Sequence, residues 1–336
     1  MSPRTHTLAV VALLTMALAV GACSVAGTGA PSTSVGPSAT SAAACVETPA
    51  PDPSTIPAWA PGAQTPSVFP VIVSSGQSIA CGPNRFMFSF LDAANTPVAA
   101  PDRPASVAFY DLASDPETPV STAEGTFVWG IDDEVGIYVT EVSFPSAGLW
   151  GAEFRTTPPG GSEETIRLQF QVYPEPAVVA VGDEAPASDT PTLEDVDGDV
   201  TRLSTDDEPV ERFYETSVAD ALAAKEPFVL VFATPKFCAS AQCGPTLDRV
   251  KPLAEANPEL TFINVEPYEL EDVEGQLQPV LTEAGGLTPA PATLEWKLLS
   301  EPWIFVVDGE GVVTASFEGI VSEDELEAAV AEVSAD

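Results

Sequence analysis

FVLVFATPKFCASAQCGP, residues 228–245, decides the fold of the second half of this chain. It opens with a continuous apolar run, which is typical of a strand buried on both faces of a sheet. Pro235 prevents a helix from running back into that strand. Helical spacing of apolar residues covers about residues 243–256. The stretch therefore predicts a buried strand, a loop that carries Cys238, and a helix that starts near Cys243.

The spacing of the two cysteines limits how they can pair. Cys238 and Cys243 are five residues apart, which is about 140° of rotation in a helix, so they cannot bond inside an intact helix. Either Cys238 lies in the loop, with Ser240 as a candidate helix cap, or the first helical turn unwinds. Free N–H groups at a helix start stabilise a nearby thiolate, and Lys236 adds a positive charge. The pair is either a reactive disulfide or a structural one.

The elements that follow are those of an α/β domain. LTFINVE (260–266), PWIFVVD (302–308) and VVTASFEG (312–319) predict strands. Ser322 and Glu325 form a capping-box pattern that predicts the start of the last helix. We assign residues 196–336 to this domain and residues 176–195, which contain prolines and lack periodicity, to a linker.

This order, with cysteines between a central strand and a helix, resembles the thioredoxin fold. VGDEAP (181–186) is similar to the lead-in of many secreted thioredoxin-like domains, and Pro302 matches the proline that is cis in this family and faces the active-site cysteines. The resemblance implies thiol–disulfide exchange through Cys238, Cys243 and Pro302, with protein thiols and disulfides as partners and no cofactor. The chain departs from the family in its Cys-x4-Cys spacing, in lacking an acidic residue in the central strand, and in a longer connection before Pro302.

Several alternatives stay open within this resemblance. Residues 243–246, Cys-Gly-Pro-Thr, align with the Cys-Gly-Pro-Cys of thioredoxin, so either cysteine is a candidate for the attacking sulfur, with accessibility favouring Cys238. The fold also serves as a non-catalytic binding or assembly module in which the disulfide is structural. The spacing further resembles one branch of the peroxiredoxins, which are thiol peroxidases, although Pro235 stands where that branch has threonine.

Composition excludes several classes of function. The net charge is −38, from 50 acidic and 12 basic residues, which repels nucleic acid, so we expect no nucleic-acid partner. His6 is the only histidine, and it lies in a segment that we expect to be removed. Histidine-based catalysis and most zinc or copper sites, including those of copper chaperones on the same fold, are therefore excluded, and we expect no metal.

The N-terminus predicts export and a lipid anchor. Leu8–Val20 is too short for a membrane span and typical of a signal peptide, which we assign to residues 1–22. Cys23 follows two small residues and resembles the lipobox cysteine of bacterial lipoproteins, which implies lipidation of Cys23 and anchoring to the outer face of the cell membrane. The alternative is an ordinary secretory signal with a chance cysteine. Residues 23–64, rich in Ser, Pro and Ala, predict a disordered tether.

Residues 65–175 predict an antiparallel β-sandwich, so the chain as a whole is expected to be multidomain. Short apolar runs recur between turn residues, and TIRLQFQVY (165–173) alternates at period two. GIYVTEVSFPSAGLWGAEF (136–154) resembles the immunoglobulin-like periplasmic modules of the YtkA/FixH-like group. Cys45 and Cys81 flank the start of this block, and in an oxidising compartment we favour a disulfide between them over two free thiols.

Overall fold

The computed structural model describes residues 45–60, 62 and 66–334. This part of the chain is mostly β, with fifteen strands and four α-helices, which confirms the β-rich, multi-sheet character expected from the sequence. The predicted signal peptide (residues 1–22) and Cys23 lie outside the described residues. Within the described part, none of the helices has the length and apolar character needed to cross a membrane.

The first nine strands form two sheets, which we call the two-sheet body. One sheet has the order β1-β8-β4-β5, with β9 also paired to β8, and the other has the order β2-β3-β7-β6. The described pairs are antiparallel except for β1 with β8. The strands are β1 Val46–Glu47, β2 Val68–Ile72, β3 Gly82–Asp92, β4 Ala105–Asp111, β5 Ser121–Glu124, β6 Thr126–Ile131, β7 Val135–Phe144, β8 Ser146–Thr156 and β9 Glu164–Val172.

Aromatic side chains from both sheets fill one core. Phe86, Phe88 and Phe90 of β3 are fully buried there. They meet Phe109 of β4 and Phe154 of β8, which belong to the other sheet. Residues two apart in a strand point to the same face. The period-two pattern in the sequence therefore places these rings between the sheets.

Residues 45–60, whose composition predicts a tether, pack onto the two-sheet body. A disulfide joins Cys45 to Cys81, the pairing that the sequence favours. Trp59 is buried over Gly151, where an added Cβ would lie 2.4 Å from the Trp59 ring. The buried Trp59 ring adds a large apolar area to this attachment, and average composition does not reveal that.

The remaining elements form what we call the α/β body. Its central sheet has the order β11-β10-β14-β15, with β10 parallel to β11 and antiparallel to β14. Strands β12 and β13 form a separate hairpin inside the long connection before Pro302. The elements are α1 Val218–Ala224, β10 Phe228–Phe232, α2 Cys243–Ala256, β11 Thr261–Val265, β12 Leu270–Val273, β13 Gln276–Pro279, α3 Pro291–Glu295, β14 Trp303–Val307, β15 Val313–Glu318 and α4 Glu323–Val333.

Strand β10 is buried on both faces of the central sheet. Val229 and Val231 share one core with residues of α2 and α4. The alternate residues Phe228, Leu230 and Phe232 share the other core with α1 and α3. This arrangement explains why the strand is a continuous apolar run rather than an alternating one.

The two bodies contact each other and belong to one compact unit. Arg85 Nε of β3 donates to Glu325 Oε1 of α4 at 2.6 Å, and the Arg85 side chain is only 11% exposed. Burial opposes ionisation of Glu325, but the hydrogen bonds and charge of Arg85, with help from Ser322, hold the pKa of that carboxyl below its usual value. An apolar cluster beside this pair joins the sheet β2-β3-β7-β6 to the α/β body and consists of Met87, Val128, Ile137, Val139 and Ile320.

Candidate functional site

A disulfide between Cys238 and Cys243 lies where β10 leads into α2. The Cα atoms are 6.1 Å apart, within the range of ordinary disulfides. Helix α2 begins at Cys243 and Cys238 lies in the loop before it, so the bridge does not require two positions inside one helix. Cys243 is completely buried among the α2 and β10 residues of the core, whereas Cys238 is partly exposed.

Polar contacts surround the sulfur of Cys238. The backbone N–H of Cys243 donates to Cys238 Sγ at 3.2 Å, and the Ser240 hydroxyl lies 3.3 Å from the same sulfur. Ser240 was a candidate helix cap, but the structure gives Gln242 that position, without a side-chain cap. Ser240 instead accepts the N–H of Gln242 at 3.3 Å. The loop therefore places hydrogen-bonding groups of the helix start around the more exposed cysteine.

The segment that carries Pro302 contacts this loop directly. The Glu301–Pro302 peptide bond is cis. The Ala239 N–H donates to Glu301 Oε1 at 2.8 Å, and the Ser240 hydroxyl donates to the Glu301 carbonyl at 2.9 Å. The structure thus brings the three residues singled out by the sequence into one region: Pro302 follows the residue that holds the loop between Cys238 and Cys243.

A buried carboxyl, Glu266, lies near the base of the cysteine loop. Its environment raises its pKa to about 6, because burial outweighs the hydrogen bonds from Thr234 and Thr205. Thr205 N–H donates to Glu266 Oε1 at 2.6 Å, while Thr205 Oγ1 accepts the N–H of Lys236 in the cysteine loop at 3.3 Å. Glu266 was not among the functional candidates expected from the sequence. An acid directly after the apolar run LTFINV (260–265) was the available signal.

The two-sheet body lies against the flank of the site. Arg249 Nη2 of α2 donates to the Trp129 carbonyl at 2.7 Å. Next to it, Gly130 packs so closely that an added Cβ would lie 2.8 Å from Gln242 Oε1 and 2.4 Å from Ile320 Cδ1. Gln242 directly precedes Cys243. The edge of strand β6 is therefore in contact with the start of the helix that carries the buried cysteine.

Comparison with known proteins adds no family assignment. No protein-family model matches the chain, and no curated protein matches it. In the described residues, no group of three or more His, Cys, Asp or Glu side chains is arranged to hold a metal ion. The chemistry available at this site is that of two sulfurs, one partly exposed and one buried.

Proposed function

We propose that this chain is a thioredoxin-like protein that exchanges disulfides through Cys238 and Cys243. The observation that carries the proposal is the hydrogen bond from Cys243 N–H, at the first residue of α2, to the sulfur of Cys238. Such a donor stabilises a thiolate at Cys238 once the disulfide is reduced. The order of β10, the cysteines, α2 and a cis proline before β14 supports the thioredoxin-like assignment.

The chemistry is a two-step exchange. A thiolate of the protein substrate attacks Cys238 Sγ, the Cys238–Cys243 bond breaks, and Cys243 leaves as a thiolate that takes up a proton. A second substrate thiolate then attacks the sulfur of the mixed disulfide that belongs to the substrate and expels Cys238. The substrate gains a disulfide and the protein gains two thiols, so two electrons pass to the protein. In the reverse direction Cys238 attacks a substrate disulfide and Cys243 resolves the intermediate. Pro302 borders the surface on which the substrate lies.

A second candidate is a non-catalytic binding or assembly module. The complete burial of Cys243 in the core with Leu247 and Val250 favours it, because a disulfide anchored in a core stabilises a fold without exchanging. In that case recognition belongs to other surfaces of the molecule.

Reduction of the pair separates these two functions. The purified protein is equilibrated in glutathione buffers of increasing reducing strength, and the free thiols of Cys238 and Cys243 are trapped and identified by mass spectrometry. Exchange requires reduction of the folded protein at a potential near those of catalytic oxidoreductases. A pair that is reduced only when the protein unfolds rejects exchange in favour of the structural role. Turnover of hydrogen peroxide with a thiol reductant would instead identify a peroxidase.

Matched variants locate the attacking sulfur. Cys243→Ser, incubated with oxidised glutathione, is expected to form a stable mixed disulfide at Cys238, because the resolving thiol is missing. Cys238→Ser is the control and is expected to react far more slowly, since Cys243 is buried. Equal labelling of the two variants contradicts this assignment.

We also propose that the protein is extracytoplasmic and anchored to the membrane through lipid on Cys23. Two disulfides fit an oxidising, non-cytoplasmic compartment, and the lipobox-like sequence supplies the anchor site. Cells expressing the natural chain are expected to incorporate labelled fatty acid into it and to retain it in the membrane fraction. Cys23→Ser should lose the label, and unchanged labelling contradicts the anchor.

A further inference from the structure

Glu301 is a buried carboxylate at the centre of the contacts around the cysteine loop. The residue is 8% exposed. Its Oε1 accepts the Ala239 N–H at 2.8 Å, and its Oε2 accepts the Tyr268 hydroxyl at 2.7 Å. Its own carbonyl accepts the Ser240 hydroxyl at 2.9 Å. Glu301 thus connects the loop between the cysteines to the residue before Pro302 and to Tyr268.

Both carboxylate oxygens act as acceptors, which is how an ionised carboxylate behaves. A buried charge persists only where such donors replace water. Tyr268 stays protonated and can donate to Glu301. Burial raises the pKa of the Tyr268 hydroxyl, and so do the hydrogen bond to Glu301 and the negative charge of Glu301. The site therefore holds a negative charge away from solvent, attached to the residue that directly follows Cys238.

That charge opposes the donors around Cys238. The Cys243 N–H stabilises a thiolate at Cys238, while a carboxylate near it in a poorly solvated site destabilises the same thiolate. Other titratable groups around the loop are Lys236 on the loop itself, Cys243 on α2, Tyr268 beyond Glu301, and Glu266, which is linked to the loop through Thr205.

We propose that Glu301 is a positioning residue that holds the Cys238 loop against Pro302 and whose negative charge disfavours the Cys238 thiolate. The proposal rests on the proposed function in one respect: it gives Cys238 the role of the attacking sulfur. As a consequence, the Cys238 thiol is less acidic than the helix start alone would make it. At pH values where the reduced protein would otherwise carry a thiolate at Cys238, the Cys238–Cys243 pair favours the disulfide over the reduced form.

The test measures the acidity of the Cys238 thiol without any exchange reaction. In the Cys243→Ser background Cys238 has no partner, and its rate of alkylation by iodoacetamide is followed against pH by mass spectrometry of its peptide. Adding Glu301→Gln keeps an acceptor for the Ala239 N–H but removes the charge. The titration midpoint is expected to fall by about one pH unit. At pH values well below both midpoints, the Glu301→Gln variant should therefore be alkylated several-fold faster than its Cys243→Ser parent. An unchanged midpoint overturns the proposal.

Three controls separate charge from structure. Glu301→Asp keeps the charge and is expected to keep the parent midpoint within a few tenths of a unit; if it shifts as far as the glutamine variant, charge is not the cause and the proposal fails. Glu269→Gln removes an exposed acid next to Tyr268 and is expected to leave the midpoint unchanged. Glu301→Met is a second uncharged variant of similar side-chain length and is expected to lower the midpoint as the glutamine variant does. A midpoint that does not fall in Glu301→Met contradicts the proposal even if the Glu301→Gln variant does not fold.

These outcomes are distinguishable from failure of the proposed function. If the wild-type disulfide does not exchange with glutathione, the oxidoreductase function is wrong, and the midpoint shift of the Cys243→Ser variants is still measured. If the pair exchanges but Glu301→Gln leaves the midpoint unchanged, the exchange function stands and the role of Glu301 is rejected.

Discussion

The backbone N–H of Cys243 points at the sulfur of Cys238 across 3.2 Å. Because Cys243 is the first residue of α2, this N–H belongs to the helix start, where amide groups have no partner within the helix. One sulfur of the pair is thus partly exposed and faces a donor, while the other is buried in the core. The two cysteines are chemically unequal even though a single bond joins them.

In the reduced protein, Cys238 is expected to react with iodoacetamide at least about tenfold faster than Cys243. Burial disfavours the thiolate of Cys243, and the helix start favours that of Cys238. The two rates are measured in the same sample by mass spectrometry of the two peptides. Equal rates at both sulfurs would show that the helix start does not control reactivity.

The Arg85–Glu325 ion pair is expected to stabilise the contact between the two bodies. Its side chains are 11% and 27% exposed, and removal of one partner from a largely buried pair costs about 3 kcal/mol. Arg85→Ala should therefore lower the free energy of unfolding in urea by about that amount. The same change in a Glu325→Gln background should cost clearly less.

The contact of Lys251 with the exposed Asp248 is the control for this cycle. Its nitrogen and oxygen are 3.6 Å apart, Asp248 is 74% exposed, and Lys251 has a closer partner in Asp206 at 2.7 Å, so the coupling of Lys251 with Asp248 is expected to stay below about 0.5 kcal/mol. If the Arg85–Glu325 coupling is equally small, the ion pair does not hold the bodies together.

Close packing at Gly130 leads to a third prediction. An alanine there would place its Cβ 2.4 Å from Ile320 Cδ1, and such overpacking typically costs about 1–3 kcal/mol. Gly130→Ala should lower the midpoint of urea unfolding. Gly76→Ala is the control, since a Cβ there would meet nothing within 4 Å. A Gly130→Ala protein as stable as wild type would mean that the side chains of Ile320 and Gln242, which contact Gly130, move aside at little energetic cost.

Local patterns in the sequence predicted the elements that depend on neighbouring residues. The apolar run at Phe228–Phe232 is a strand buried on both faces, and the capping box of Ser322 and Glu325 is present at the start of α4. The loop position of Cys238 was one of two alternatives that helix geometry left open, and Pro235 favoured it. These features are set over a few residues, so propensity, periodicity and capping are enough to predict them.

Contacts between distant parts of the chain were not predictable in this way. Glu301 meets Ala239 across 62 positions and Arg85 meets Glu325 across 240. The sequence around one residue of such a pair does not indicate the other, because an isolated acid or arginine is normally a solvated surface residue. Trp59 was missed for the same reason, since the surface that buries it is formed by strands β4 and β8, about 50 and about 90 residues later.

Glu266 makes stability depend on pH in a defined window. Its folded-state pKa of about 6 lies above the usual 4.5 because the carboxyl is buried, so folding favours the protonated form. The resulting contribution is fully present below about pH 4.5 and is lost as pH rises through about 6, which amounts to about 2 kcal/mol. Glu266→Gln is neutral at every pH and retains an acceptor for the Thr205 N–H. The difference in free energy of unfolding, variant minus wild type, is therefore expected to rise by about 2 kcal/mol between pH 4 and pH 8.

Urea titrations at several pH values measure this difference, and subtraction of the two curves removes the titrations that both proteins share. The rise should be centred between about pH 4.5 and 6, the window set by the two pKa values. Glu269→Gln, at an exposed position, should give a difference from wild type that is nearly independent of pH, because its carboxyl is solvated in both states. Parallel curves for wild type and Glu266→Gln would mean that the Glu266 carboxyl ionises as readily in the folded protein as in the unfolded chain, and that its burial beneath the cysteine loop has no electrostatic consequence.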